Sequence, residues 1–366
     1  MALITNLPAL TKQQVQSMNE TLFEGFFNDP ILNSLVAVQE GIKADKQLII
    51  FQRHSGLSGK KVTACPTPTN STWGFNTIEK VWSPKYIGDR YSECYQTFMG
   101  TFAQWMLNAG VSKSDLTSGD ATPLAAFITE QMQDMVAEVY QRFFWFGDSA
   151  IAAGTNNSLA AGSLPFFNAM DGIWKQVFTI VTAQAARLSS TGLATKNGNA
   201  AFATQKFDAT DVTNQVVSKA LDSVWYDADI RLRGMAKSEL VYYVTQSVYD
   251  QLEKERKAIS GIDLPYNRQE NGLTTLTWNG INVVPIQLWD RMISAYFGAT
   301  ANPVKSFLPH RILLAPKSNL ILGVETVGSM SELDAWYSKD DEVMYAKFGA
   351  SIDAKVGVDV MVQVAY

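Results

Sequence analysis

Every even position from Met344 to Tyr366 is apolar, with Phe348, Ile352, Val356 and Val364 among them, while Lys347, Ser351, Asp353, Lys355, Asp359 and Gln363 fall at odd positions. A period of two turns one side of an extended chain toward a core and the other toward water. One unbroken strand would be about 75 Å long at ~3.3 Å per residue, beyond the usual range. A turn or kink near Asp353 to Gly357 is therefore expected, giving paired long strands. Their apolar face needs cover from earlier in the chain.

A long helix is the natural cover. Thr122 and Pro123 make a good helix start, since threonine caps and proline tolerates the first helical position. Leu124, Phe127, Ile128, Met132, Met135, Val139 and Phe143 then recur at spacings of three and four. The pattern predicts an amphipathic helix about 35 Å long, with Gly147 as its stop. Phe143, Phe144, Trp145 and Phe146 cover most of its last turn, which implies burial on all sides.

Two further helices are expected, over Asp171 to Leu188 and from about Asp208 or Thr210, the latter burying Val212, Val216, Ala220 and Val224. Strand "LVYYVT" (240–245) leads into helix "QSVYDQLEKERKA", where Asp250 with Lys254 and Glu253 with Lys257 form solvated i, i+4 pairs. In "LTTLTWNGINVVPI", Asn279-Gly280 between two apolar runs is a hairpin signal. "RILLAP" and "LILGVE" read as strands. Residues 55–75 are rich in Gly, Ser, Thr and Pro and flanked by strand-like "TIEKVW" and "RYSECYQTF", which suggests a two-stranded arm projecting from the body.

The 366 residues suit two modest domains or one elaborate one, and 46% apolar with 18% charged residues permits a sizeable core. Thirty basic against thirty-five acidic residues, a net charge of -5, supply no dominant cationic surface, so any contact with nucleic acid is expected to be weak and non-specific. No apolar run is long enough for a membrane span, and the N-terminus lacks the pattern of a secretory signal, so folding in a cytoplasm is expected. Cys65 and Cys94 form neither a disulfide framework nor a zinc motif and are expected as small core residues.

The stretch "WFGDSAIAA" (145–153) raises Ser149 as a nucleophile, because one hydrolase family uses a "GDS" serine. Such a serine follows a strand and needs an oriented base. Ser149 follows a helix, and neither His54 nor His310 has the aspartate three residues before it that the family uses. Both histidines are expected to be solvated or at the edge of the core. "GLSGKK" (56–61) lacks the spacing and terminal Ser/Thr of a phosphate loop. Asp340-Asp341-Glu342 reads as a loop or strand entry. No catalytic, cofactor-binding or metal-ligating residue is assigned, and no cofactor is expected.

The order of these elements resembles a known family. An arm precedes a long helix ending in aromatics and "GD"; a Gly-rich loop and "DGIW" follow, then "ELVYYVTQSVYDQL", "TWNGINVVPI" and alternating strands at the C-terminus. Over residues 45–366 this is similar to the major capsid proteins of tailed bacteriophages, the Hong Kong 97-type fold. Ser149 stands where relatives have a second glycine, and "NVVP" replaces a tighter "PV".

The resemblance implies an α+β fold with an N-terminal arm (1–45), an extended loop (46–98), a peripheral domain (99–224 and 326–366) built on the long helix, and an axial α/β domain (225–325). It implies a non-enzymatic shell protein forming hexamers and pentamers of an icosahedral head around double-stranded DNA. Portal, scaffold or decoration proteins are the expected partners, with no membrane. Its place would be the virion capsid, assembled in the bacterial host cytoplasm. An encapsulin-like nanocompartment shell is the alternative on the same fold, and a GDS-type serine hydrolase the remote one.

Overall fold

The computed structural model describes residues 35–42, 46–52, 76–94, 97, 100–101, 104, 135, 137–152, 159–189, 193, 196–197, 205–260, 267–268, 274–297, 305, 307–325, 334–338, 340–341 and 343–366. The expected arm before residue 35, His54, the loop at 55–75 with Cys65, and the first part of the predicted long helix lie outside these residues.

The strand predicted from the C-terminal alternation organises the first sheet. It runs Val343–Val356 (β12) and pairs antiparallel with Lys85–Cys94 (β4), from Val343 opposite Cys94 to Ile352 opposite Lys85. On its other side it pairs with Asp334–Ser338 (β11) near its start and Leu320–Val324 (β10) near its end. Ala37–Gln39 (β1) adds parallel to β10. The even positions Phe348, Ala350, Ile352, Ala354 and Val356 are each 2% exposed or less. They share one apolar cluster with the helix at residues 137–146 (α1) and with Ile173–Ala183 (α2). Gln176 of α2 pins the end of β12, its amide donating to Ala354 O at 2.7 Å and accepting from Val356 N at 3.0 Å.

The odd face is less wet than the alternation suggests. Asp353 is 3% exposed, because Trp82 and Ile42 cover this side of the sheet over Gly323 and the backbone N of Ser83 donates to its carboxylate at 2.8 Å.

The kink falls where expected, but its consequence differs. After Val356 the chain turns at Gly357 and through a 3-10 turn at Asp359–Met361, then enters a second sheet as Gln363–Ala365 (β13). Asn319 holds the turn: its O accepts from Gly357 N, its Oδ1 from Val358 N, and its Nδ2 donates to Val358 O and Met361 O. The two halves of the alternating run thus do not pair with each other. Val362 and Val364 stay in the cluster that buries Phe348 and Ile352, so the same pattern serves two sheets around one core. Alternation fixes which face is buried and is silent about the neighbouring strand.

The second sheet has the order β13-β9-β5-β8-β7-β6, where β5 is Leu240–Val244, β6 Asn267–Arg268, β7 Thr274–Trp278, β8 Ile281–Pro285 and β9 Ile312–Pro316. β5 is buried on both faces: Val241 and Tyr243 face the first cluster, while Leu240, Tyr242 and Val244 face a second. That second cluster is closed by Val216–Asp227 (α4) and the long helix that follows β5, Gln246–Ser260 (α5). The β7–β8 hairpin turns at Asn279 (φ 52°) and Gly280 (φ 78°), the left-handed pair an Asn-Gly turn requires.

The helix expected from Asp208 is broken in two. Asp208 caps Ala209–Asn214 (α3) through a capping box with Asp211, but Gln215 adopts a left-handed conformation (φ 54°) before α4 starts. The break resets the register, so Val217, Ala220, Leu221 and Val224 are buried while Val212 and Val216 are only half-buried. The helix expected to reach Leu188 ends at Ala183 and continues as a 3-10 turn. On α5 the Lys257–Glu253 pair forms at 2.6 Å, whereas Asp250 accepts from Gln246 Nε2 at 2.7 Å. Between β5–α5 and β9, Gln287–Met292 (α6) carries Trp289 into the first cluster.

Candidate functional site

The "FFWFGDS" stretch is an elbow between two helices. Phe143, Phe144, Trp145 and Phe146 are all 5% exposed or less, as their all-round pattern predicts. Trp145 and Trp174 each meet Trp289 edge-to-face with centroids 4.9 Å apart. After α1 the chain passes so close to the start of α2 that both contact points are glycine. A Cβ on Gly147 would stand 2.5 Å from Met170 O, and one on Gly172 would stand 2.6 Å from Phe143 O. Gly172 N donates to Gly147 O at 2.8 Å.

The polar residues of the elbow are committed to this geometry. Asp148 is 3% exposed; its carboxylate accepts from Ala150 N at 3.0 Å and pairs with Lys175 at 2.9 Å. Ser149 is exposed, and both its N and its Oγ donate to Asp171, at 2.8 and 2.7 Å. A hydroxyl that donates a hydrogen bond to the same carboxylate oxygen as its own backbone N closes a turn, whereas a nucleophile needs an oriented base in a productive pose. Ser149→Ala is expected to cost about 1 kcal/mol or less, the usual worth of an exposed hydrogen bond. A chemical melt of the variant measures this, and esterase activity present in the parent but lost in the variant would restore the hydrolase reading.

His310 sits elsewhere and is fully committed. It is 3% exposed, so the expectation of a solvated or core-edge ring is corrected. Its Nε2 donates to the Gln205 carbonyl, which leaves Nδ1 to accept from Ser247 Oγ at 2.9 Å. Phe207 packs against the ring at a tilt of 39°, with centroids 4.2 Å apart. Burial pushes its pKa down to about 4, so it is neutral in the folded protein near pH 7.

Three buried or exposed groups escape sequence reasoning. Arg311 is fully buried, its guanidinium 4.8 Å from the Trp174 ring and 5.5 Å from that of Phe146, while Nε donates to Leu308 O at 2.8 Å. Burial pushes its pKa down to about 9. Glu255 is fully buried and caps α4 across the fold, accepting from Val217 N at 3.0 Å, Ser218 N at 2.8 Å and Ser218 Oγ at 2.7 Å. Cys94, expected in the core, is exposed at the end of β4. Asp341 lies in the turn between β11 and β12, accepting from Ser338 Oγ at 2.9 Å, consistent with a strand entry. Among the described residues no cluster of His, Cys, Asp and Glu is placed to hold a metal. No helix among them is long and apolar enough to cross a membrane.

What the surface does offer is a ribbon and a groove. Gln47–Gln52 (β2) and Asn76–Val81 (β3) form a two-stranded antiparallel sheet of their own, with Gln52 opposite Asn76 where the 53–75 segment departs. Of the strand-like "RYSECYQTF", Arg90–Cys94 lie in β4 and so belong to the first sheet. Between β4 and α1 lies an open groove of about 550 Å³, floored by Ile87, Val139, Phe143 and Phe348. Tyr86 (55% exposed) and Phe166 (43% exposed) line it, and Arg142 donates to Phe166 O at 3.1 Å.

No family model matches this sequence, and no curated protein matches it either. Its fold, by contrast, is similar over almost the whole chain to solved phage structures. A chain of the satellite phage P4 procapsid that includes the size determination (Sid) protein aligns over 96% of this chain and 98% of its own, with TM-score 0.53 and 12% identity. The Gordonia phage Cozz structure aligns over 92% and 85%, with TM-score 0.50 and 10% identity. The Mycobacterium phage Ogopogo structure aligns over 92% and 91%, with TM-score 0.50 and 9% identity. The chain therefore has the mixed α and β fold of phage major capsid proteins. Of the solved structures named, the P4 procapsid matches it over the fullest share of both chains.

Proposed function

We propose that this protein is a structural shell subunit, building the hexamers and pentamers of an icosahedral phage head that encloses double-stranded DNA. The observation that carries the reading is the fold shared with the P4 procapsid chain across nearly the full length. Among the described residues β2 and β3 pair only with each other, which agrees with it, since a two-stranded sheet is marginal in water and gains stability when another surface covers it. In this reading residues 46–98 supply the extended loop, residues 99–224 and 326–366 the peripheral domain, and residues 225–325 the axial domain. The spine would be the helix predicted over 122–146. Portal, scaffold or decoration proteins, weak non-specific contact with packaged DNA, and assembly in a bacterial cytoplasm complete the proposal. The protein's work is then geometric, and its buried polar groups hold turns and helix ends together.

Negative-stain microscopy of the purified protein tests this: closed particles or ring-shaped capsomers are expected, and a strictly monomeric protein at high concentration counts heavily against a shell. Packaged DNA distinguishes a phage head from a nanocompartment, which would enclose protein. Deleting residues 56–75 is expected to leave a folded subunit that no longer assembles. Normal particles from that deletion would refute the arm assignment.

A further inference from the structure

The ribbon meets the body at residues 82–84, and this joint is tied at three points. Trp82 is 1% exposed and lies against Gly323 of β10, where a Cβ would stand 2.6 Å from the indole and 2.8 Å from Ile42 Cδ1. Its backbone N donates to Lys46 O at 3.0 Å, closing the ribbon's base. The next residue, Ser83, donates its N to the buried Asp353 carboxylate at 2.8 Å, which also pairs with Lys355 at 3.2 Å. From inside the ribbon, Lys80 Nζ reaches across to Val356 O and to the Asp359 carboxylate, each at 2.6 Å.

Those last two acceptors belong to the crossover between the two sheets. The same crossover is also held by Arg187, whose Nη1 donates to Val360 O at 3.2 Å and whose Nη2 pairs with Asp229 at 3.6 Å. The root of the ribbon is thus bonded to the one stretch of β12–β13 that joins first sheet to second.

We propose that this joint is an orienting lock. Trp82, Ser83 and Lys80 fix the inclination of the β2–β3 ribbon against the first sheet and tether it to the crossover, so that a free subunit presents the ribbon already aimed at a neighbouring copy. What the ribbon is aimed at rests on the shell reading above; that it is aimed rests on the joint alone. A ribbon free to swing loses that freedom when it docks, and a preset one has less to lose. Lys80 and Asp359 are partly exposed, and such a pair is weak as a source of stability. Its importance comes from position: it grips the ribbon beyond the joint, where a small constraint limits a long lever.

Lys80→Met keeps the aliphatic stem and removes both contacts, while Lys80→Arg keeps a donor. In the unassembled subunit, amide exchange across Gln47–Gln52 and Asn76–Val81 is expected to quicken about tenfold in Lys80→Met, with the body's melting unchanged. Lys80→Arg should stay near the parent. The concentration at which particles form is expected to rise about tenfold in Lys80→Met, since pre-organisation acts through the cost of ordering. Exchange at the parent's rate in Lys80→Met overturns the lock. So does quicker exchange with an unchanged assembly threshold. If the parent protein never assembles, the shell reading fails, and the exchange comparison still judges the lock.

Discussion

Gly172→Ala is expected to destabilise the protein by about 3–5 kcal/mol, a large share of the 5–15 kcal/mol by which a typical domain is stable. The added methyl would stand 2.6 Å from Phe143 O, 2.7 Å from Phe144 O and 2.8 Å from Gly147 N. All three are backbone atoms, so no side chain can rotate away. Relief requires the end of α1 to separate from the start of α2, which breaks the 2.8 Å bond from Gly172 N to Gly147 O. The separation also disturbs the packing of Trp174 and Phe144, both 2% exposed or less. Urea unfolding measures the loss, and Gly162→Ala is the control. Nothing lies within 4 Å of a Cβ at Gly162, so that change should be within about 0.5 kcal/mol of the parent. Equal stabilities for the two variants would show that the elbow is not a close backbone contact.

The elbow also shows what a sequence can and cannot reveal. That "GD" closes a helix was legible, because an amphipathic run followed by glycine has one ready local explanation. That Gly147 needs Gly172 was not, since the reason is a contact between segments whose proximity no local pattern encodes. The strands divide the same way. β5, β7, β8, β9, β10 and β12 all lie where apolar runs and the Asn279-Gly280 turn predict them. One partner of β12 is β4, more than 240 residues earlier, and periodicity carries no information about it.

Buried charge was the least legible feature. Arg311 and Glu255 sit in segments whose neighbours read as strand entry and solvated helix face, and lone charged residues are ordinarily exposed. Each is buried because distant groups meet it: aromatic rings and the Leu308 carbonyl around Arg311, the first turn of α4 over Glu255. No local pattern distinguishes Glu255 from Glu253, two residues before it, which forms the surface pair the spacing predicts. The broken helix at Gln215 belongs to the same class, because Glu255 caps the restarted helix and so favours an interruption that propensity alone would not choose.

Stability is expected to fall by about 2 kcal/mol between pH 7 and pH 5 through His310 alone. In the folded protein burial depresses its pKa from 6.5 to about 4, against the opposing bond to the Gln205 carbonyl and the Asp211 charge and with Lys196 pushing the same way. The unfolded chain therefore binds a proton near pH 6.5 that the folded one refuses until near pH 4. The stabilising preference is complete above the unfolded value and is lost as pH falls through that window. The geometry agrees with a neutral ring: Nε2 donates to the Gln205 carbonyl and Nδ1 accepts from Ser247 Oγ at 2.9 Å, one tautomer satisfying both. His310→Gln can offer a donor and an acceptor in the same place without titrating. Urea unfolding of parent and variant at pH 7 and pH 5 separates this site from the carboxylates, which both proteins share. The variant should lose about 2 kcal/mol less than the parent over the interval. Parallel losses would mean that the ring is not held neutral, and that the clip joining Gln205 to the start of β9 tolerates its charge.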